Sequence, residues 1–447
     1  MDFSSIITAV AQNIWGLPLL IGIFIASIVI SLQLGFVQFR YFFSSISMLF
    51  ASDEKTTSAQ KTGELTSFQA FINTLGANIG NGSLGGIPVA ICTGGPGAIF
   101  WLMVMSTFAV ALRYAEVYLG MAFIGKHRFG SAKGGPMLYL SLLPFGWVLS
   151  YMFALFCLGY AIFAGNMLQC NTVGVALQKT WSIDPYWTAF FVLAFILYIL
   201  IGGAQRVVTY LDMLVPFKVG LFIGSCLIVL VYNYQAIPHA FYLIFEGAFH
   251  PQAFIGGTAA YALQTVMTVG LQRGILIHEA GLGTAAVAFG STTGEHAVKD
   301  SILSMLSVYI NTHVICLMIA LALLSTGVWN NGETSSALVV SAYETVFGSF
   351  GGWIISFLTI NFGISVLVSY AYLGKVCWNF LTGGKFSYLF PVVYAAAAFF
   401  GTYMTVGIIW KLADIVNAGL LIVNIIGLLW FVATIRKGLR DYESQRV

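Results

Sequence analysis

Charged residues make up only 8% of this 447-residue chain, while 59% of it is hydrophobic, against roughly 25% charged and 45–50% apolar in soluble domains. A water-soluble globule is excluded, because so little polar surface cannot cover so much apolar volume. Neither sign of charge dominates: 19 Lys and Arg against 16 Asp and Glu leave a net charge of +3. The basic residues are scattered, which excludes a nucleic-acid footprint and a polybasic lipid-binding patch. Six cysteines, Cys92, Cys157, Cys170, Cys226, Cys316 and Cys377, stand singly in apolar segments without CxxC or Cys/His spacing, so neither a disulfide framework nor a zinc site is expected. Met1 to Asn13 lacks a positive segment, and the apolar run from Trp15 is long enough to persist as a span, so no cleavable leader is expected.

What is present is long apolar runs. The mean hydropathy is +0.90, and at about 20 apolar residues per span there is room for roughly ten to twelve helices. Short polar connectors divide the chain into eleven candidate spans near 15–38, 67–92, 96–123, 146–178, 186–203, 211–233, 256–289, 301–327, 350–380, 387–409 and 412–435. The runs are continuous instead of alternating over about ten residues, which excludes a membrane β-barrel. The expected fold is therefore all-α and polytopic, embedded in a lipid bilayer. With the N-terminus outside, Arg40, Lys55, Lys61, Lys126, Arg128, Lys133, Arg206, Lys299, Lys375, Lys385 and the tail residues Arg436, Lys437, Arg440 and Arg446 fall inside, leaving Lys179 and Lys411 outside. That asymmetry obeys the positive-inside rule and puts the C-terminus in the cytoplasm.

Two spans read as interrupted. In the second, Gly76 is followed by Gly80-Asn81-Gly82-Ser83 and Gly85-Gly86-Ile87-Pro88. Gly costs about 1 kcal/mol and Pro about 3 against Ala in a helix, and Asn78, Asn81 and Ser83 add polar groups that a packing face does not need. A break is expected near 80–86. In the seventh, Arg273-Gly274 leads through Leu276, Ile277 and His278 to Glu279-Ala-Gly281-Leu-Gly283. Charges in a bilayer core must face a cavity or a partner, so a second break is expected near 274–283.

The layout that follows is an N-terminal helix (1–40), a cytoplasmic connector (41–66), a first five-helix block (67–233), an extracytoplasmic connector (234–255), a second block (256–435) and a cytoplasmic tail (436–447). Each block opens on its broken helix, and five spans per block invert the second relative to the first. That is the pattern of an alternating-access transporter with its site near the midplane. Exposed N–H groups at a half-helix N-terminus suit a carboxylate, and unwound carbonyls suit a cation.

Longer stretches carry a resemblance: Gly94-Gly-Pro-Gly-Ala-Ile-Phe-Trp101, Tyr114-Ala-Glu116-Val, Gly134-Gly-Pro-Met137, Gly165-Asn-Met-Leu-Gln169-Cys-Asn171, Pro216, Arg273-Gly274, Glu279 to Gly283, and Leu412-Ala-Asp414 with Asn417 and Asn424. Over nearly its whole length the chain resembles the alanine or glycine:cation symporter family, of leucine-transporter-like architecture with one extra N-terminal helix. The resemblance implies a substrate site for a small neutral amino acid at Gly80, Asn81, Gly82 and Ser83, with Gly165, Gln169, Leu276, His278 and Tyr370. It implies a sodium site at Gly76, Ile79 and Ser365, and no other cofactor.

Departures cluster there. The family's Gly-Thr-Gly-Asn aligns with Gly80 to Ser83, its Ser-Asn pair with Ile277-His278, its Ser-Thr with Ser365-Val366, its Trp with Tyr370, and its Asp-Thr with Asn311-Thr312. Backbone capture of a carboxylate survives such changes, whereas Val366 deletes a cation ligand. A proton taken up by His278, or sodium-independent transport of a different small amino acid, is the alternative. Arg113 and Glu116, at i and i+3, are expected to pair and, with Arg273 and Glu279, to be structural or gating; Asp212, Asp414 and Glu279 are expected to seek partners such as Arg206, Lys411 and Arg273. A membrane transferase is the remote alternative, resting on Glu295, His296 and Asp300, and a channel is disfavoured because the breaks point to a closed midplane site.

Overall fold

The computed structural model describes residues 10, 13–50, 65–124, 134–201, 203–250, 258–292, 296–404 and 406–445. Connector residues Lys55, Lys61, Lys126, Arg128, Lys133 and Glu295 lie outside the described set, as do Arg446 and the side chains of Lys179 and Arg206. The first half contains α1 (Leu17–Gln33), half-helices α2 (Ser67–Asn78) and α3 (Asn81–Gly94), α4 (Ala98–Ala122), α5 (Gly146–Ile162), a π-helical turn (Phe163–Met167), α6 (Leu168–Trp181), α7 (Pro185–Ile201) and α8 (Gly203–Tyr232). After α9 (Ile237–Phe249) come half-helices α10 (Ala259–His278) and α11 (Thr284–Phe289), α12 (Ala297–Val308), a π-helical segment (Tyr309–Cys316) and α13 (Leu317–Ser325). The chain continues through α14 (Ser335–Phe347), α15 (Phe350–Thr382), α16 (Phe390–Tyr403), α17 (Val406–Trp430) and α18 (Val432–Ser444).

The eleven spans resolve by physical type. Six described helical stretches are long and apolar enough to cross a membrane, and three shorter apolar helices accompany them. The remaining two are the interrupted pairs α2/α3 and α10/α11.

The breaks are narrower than the residue pattern indicates. Helix α2 opens on a reciprocal cap, with Gln69 N–H donating to Thr66 Oγ1 and Thr66 N–H donating to Gln69 Oε1, both at 3.1 Å. It stops at Ile79, and Gly80 is extended (φ −134°, ψ −171°) before the chain re-enters a helix at Asn81. The glycines at 82, 85 and 86 lie inside α3, not in the break. In the second half Arg273 to His278 stay helical; unwinding is confined to 279–283, where Glu279 (φ +53°), Gly281 (φ +90°) and Gly283 (φ +82°) turn the backbone left-handed.

Helices α9 and α14 are the longest of the described helices that occupy what the sequence presents as connectors. At 13 residues each, α9 and α14 are too short to span about 30 Å of hydrocarbon, which is why their apolar content does not register as spans. Helix α9 buries Ala240, Ile244, Gly247 and Ala248 and lies across α4 and α13, while α14 packs on α3 and α15.

The glycine motifs mark close backbone crossings. A Cβ on Gly97 would sit 2.0 Å from the Gly247 carbonyl carbon, so the Gly94-Gly-Pro-Gly run lets α9 press against the start of α4. A Cβ on Gly134 would lie 2.2 Å from the Gly290 carbonyl oxygen, joining the two halves. Overpacking of this kind costs about 1–3 kcal/mol or more. Gly97→Ala is therefore expected to lower the melting temperature of the purified protein, whereas Gly22→Ala, where a Cβ meets nothing within 4 Å, is expected to leave it unchanged or raise it.

Candidate functional site

A cavity opens where the two broken helices pass each other. The break between α2 and α3 brings Gly80 and Gly82 to its wall, the start of α6 brings Gln169, the end of α10 brings Leu276 and Glu279, and α15 brings Val366 and Tyr370. The N-terminus of α3 has no side-chain cap, so its first N–H groups present the positive end of a helix dipole there. Asn81 N–H donates to Gln169 Oε1 at 3.3 Å, and Gln169 Nε2 donates to the Ala164 carbonyl at 3.1 Å. Gln169 is thus a fixed part of the wall, anchored in the π-helical turn. A Cβ on Gly82 would meet nothing within 4 Å, whereas one on Gly80 would lie 2.5 Å from Val366 Cγ2.

The aromatic side is closed by packing. Gly165 does not line the cavity; it lies beneath Tyr370, whose Cγ would be 2.2 Å from a Cβ there. Tyr370 meets Tyr160 edge-on with ring centroids 5.5 Å apart. Arg273 stands 5.4 Å over the Trp410 ring, and both reach the cavity.

Three expected substrate residues lie behind the wall. Asn81 contributes its backbone, Ser83 donates its hydroxyl to Asn311 Oδ1 at 3.0 Å, and His278 is fully buried with Nδ1 accepting from Ala280 N–H at 3.0 Å. Ile277, not His278, faces the cavity.

Arg113 and Glu116 form the expected pair, 2.7 Å apart and wholly buried, and their partners lie in the second break. Arg113 Nη2 donates to the His278 carbonyl at 2.7 Å. Glu116 Oε2 accepts from the N–H groups of Gly281 (2.9 Å) and Gly283 (2.8 Å), and Asn424 Nδ2 donates to the Gly281 carbonyl at 2.8 Å. The ion pair therefore clamps the unwound turn. Glu279 accepts from Tyr160 OH (3.3 Å) and Thr284 Oγ1 (3.4 Å), and the Asn78 amide reaches Glu279 Oε2 and Arg113 at 3.1 Å each. The charge of Asp414 acts on Arg273, one of the partners the sequence offers, and Asp212 is held by Gln69.

One residue was missed, and another, Asn311, registers in the sequence only as a departure from the family's Asp-Thr. Asn311, in the π-helical segment, donates to the carbonyls of Asn78 (3.1 Å) and Ile277 (2.7 Å) and so joins both breaks. Lys218, fully buried in α8, reaches the expected cation site: Nζ donates to the Ile79 carbonyl, to Ser365 Oγ and, at 3.4 Å, to the Gly76 carbonyl. An intramembrane lysine after Pro216-Phe217 was the available signal.

The family model of the sodium:alanine symporter family matches residues 1–447. The chain belongs to the sodium:alanine symporter family. Members of this family are secondary transporters, not enzymes. Similar proteins include an uncharacterized transporter of Haemophilus influenzae, 32% identical over 99% of this chain and 96% of the relative. Sodium/alanine symporter AgcS of Methanococcus maripaludis is 31% identical over 96% of this chain and 95% of its own length. Probable sodium/glutamine symporter GlnT of Bacillus subtilis is 27% identical over 98% and 91%. Among solved structures, a Na+-coupled sialic acid symporter in a substrate-bound outward-open state superposes with a TM-score of 0.54 at 15% identity, covering 90% of this chain and 83% of that one. That likeness speaks to the fold: a helical, leucine-transporter-like bundle of two inverted five-helix repeats behind one extra N-terminal helix.

Removing one partner of a buried ion pair costs about 3–5 kcal/mol, much of it from the charge left behind. Arg113→Met and Glu116→Gln are each expected to lower the melting temperature strongly. The double variant is expected to lose less than the sum of the two, as a double-mutant cycle would show; strict additivity would mean that the pair does not act as one clamp.

Proposed function

We propose that the chain imports a small neutral amino acid, alanine or glycine, by alternating access. The carboxylate lies on the α3 N-terminus at Gly80–Gly82, and Gln169, Leu276 and Tyr370 enclose the rest. The observation that carries this reading is a helix end whose N-cap, Gly80, brings no side chain and which opens into a cavity in the middle of the bundle, where backbone N–H groups and the dipole favour an anion. Val366 against Gly80 and the Tyr370 ring over Gly165 restrict the space beside it, which suits a small side chain. Glu279, which also lines the cavity, supplies the acidic group for the substrate ammonium. Sodium is the coupling ion that family membership supports, and the relatives named for alanine and glutamine transport support an amino-acid cargo. The basic connectors support a cytoplasmic C-terminus in a cell membrane.

Exchange of radiolabelled alanine or glycine into amino-acid-loaded proteoliposomes tests the site without depending on an ion gradient. Gly82→Leu, whose side chain enters open space, is expected to reduce exchange at least tenfold while the melting temperature holds. Gln169→Ala is expected to raise KM by roughly tenfold, about 1.4 kcal/mol. Wild-type exchange by both variants would place the substrate elsewhere.

A further inference from the structure

We propose that Lys218 is a tethered cation: its ammonium fills the position at which Gly76, Ile79 and Ser365 would ligate sodium, so no sodium ion binds there in this chain. The three N–H donors of the ammonium meet three oxygens, the carbonyls of Gly76 and Ile79 and the hydroxyl of Ser365. Ser365 is turned to receive it, because its own hydrogen goes to the Phe362 carbonyl at 2.9 Å. The Phe362 ring lies under the charge, 5.1 Å from Nζ to the centroid, an arrangement that attracts a cation. All three hydrogen-bonding oxygens belong to neutral groups. Two are carbonyls at the C-terminal end of α2, where orphan acceptors and the negative end of the helix dipole collect.

Sodium and an ammonium group compete for the same lone pairs and bring the same charge, so the two exclude each other. Val366, the neighbour of Ser365, offers no further oxygen. Lys218 also carries the mechanical role of an ion at this point, since it ties α8 to both α2 and α15. Sodium coupling, where it operates, must therefore enter through another position. Only this last consequence rests on the import reading; the occupancy of the site does not.

The test is the melting temperature of the purified full chain in sodium chloride against potassium chloride at equal ionic strength, since a ligand that binds the folded state raises it. Wild type and Ser365→Ala are expected to show the same difference between the salts. Lys218→Ala, which empties the position, is expected to gain a stabilisation that grows with sodium and disappears in Lys218→Ala with Ser365→Ala. A sodium-specific stabilisation of wild type that Ser365→Ala abolishes would overturn the proposal, as would a folded Lys218→Ala with no new sodium response. If Lys218→Ala does not fold, the comparison of wild type with Ser365→Ala still decides. Alanine and glycine exchange measured on the same wild-type preparation separates the two readings: loss of exchange refutes the import reading and leaves the melting comparison standing.

Discussion

Two residues of non-helical backbone, Ile79 and Gly80, set the terms for the middle of this protein. Interrupting a helix inside a lipid-embedded bundle strips water-free backbone groups of their partners, and each must be satisfied by protein. The interruption also exposes helix ends of opposite polarity within one turn. The acceptor end of α2 is met by Lys218 from α8, which also donates to Ser365 of α15. The donor end of α3 is met in part by Gln169 and otherwise opens into the cavity. Site and scaffold are thus consequences of one break.

The second break obeys the same requirement by a different route. Its left-handed turn points the N–H groups of Gly281 and Gly283 at one carboxylate oxygen of Glu116, while Arg113 takes the carbonyl at the end of α10. A wholly buried ion pair contributes little net stability against apolar packing; here its charges are spent on backbone groups that lipid would leave bare. Asn311 then binds a carbonyl from each break, and Ser83 binds Asn311 in turn. The two halves meet through this amide, so displacement of one broken helix is felt directly by the other.

Much of this was legible in the residues, and the limits have physical causes. Length and apolar continuity gave the spans, and glycine and polar residues inside apolar runs located both breaks. The width of the first was overestimated because Gly82, Gly85 and Gly86 are costly in an isolated helix, yet tertiary packing holds them in α3. Helices α9 and α14 escaped because their 13 residues fall short of a membrane crossing. Gln169 and Tyr370 reach the cavity, whereas His278 does not, because Ile277 takes the inward position when α10 remains helical to its last residue. Lys218 acts across separations of 139 to 147 residues and Asn311 across 34 and 233, and no local pattern reports which oxygens a distant side chain will meet.

The ammonium on the Gly76 and Ile79 carbonyls differs from a bound ion in one thermodynamic respect. A dissolved ion arrives with a chemical potential set by its concentration on each side of the membrane, and by leaving on the opposite side it performs work. A charge joined to the chain by four methylene groups never leaves and has no concentration difference to run down. It can hold a helix end in place on every cycle, but it cannot by itself push cargo uphill. With Lys218 as the tethered cation, the group that holds the first break and the ion that powers the cycle are separate parts.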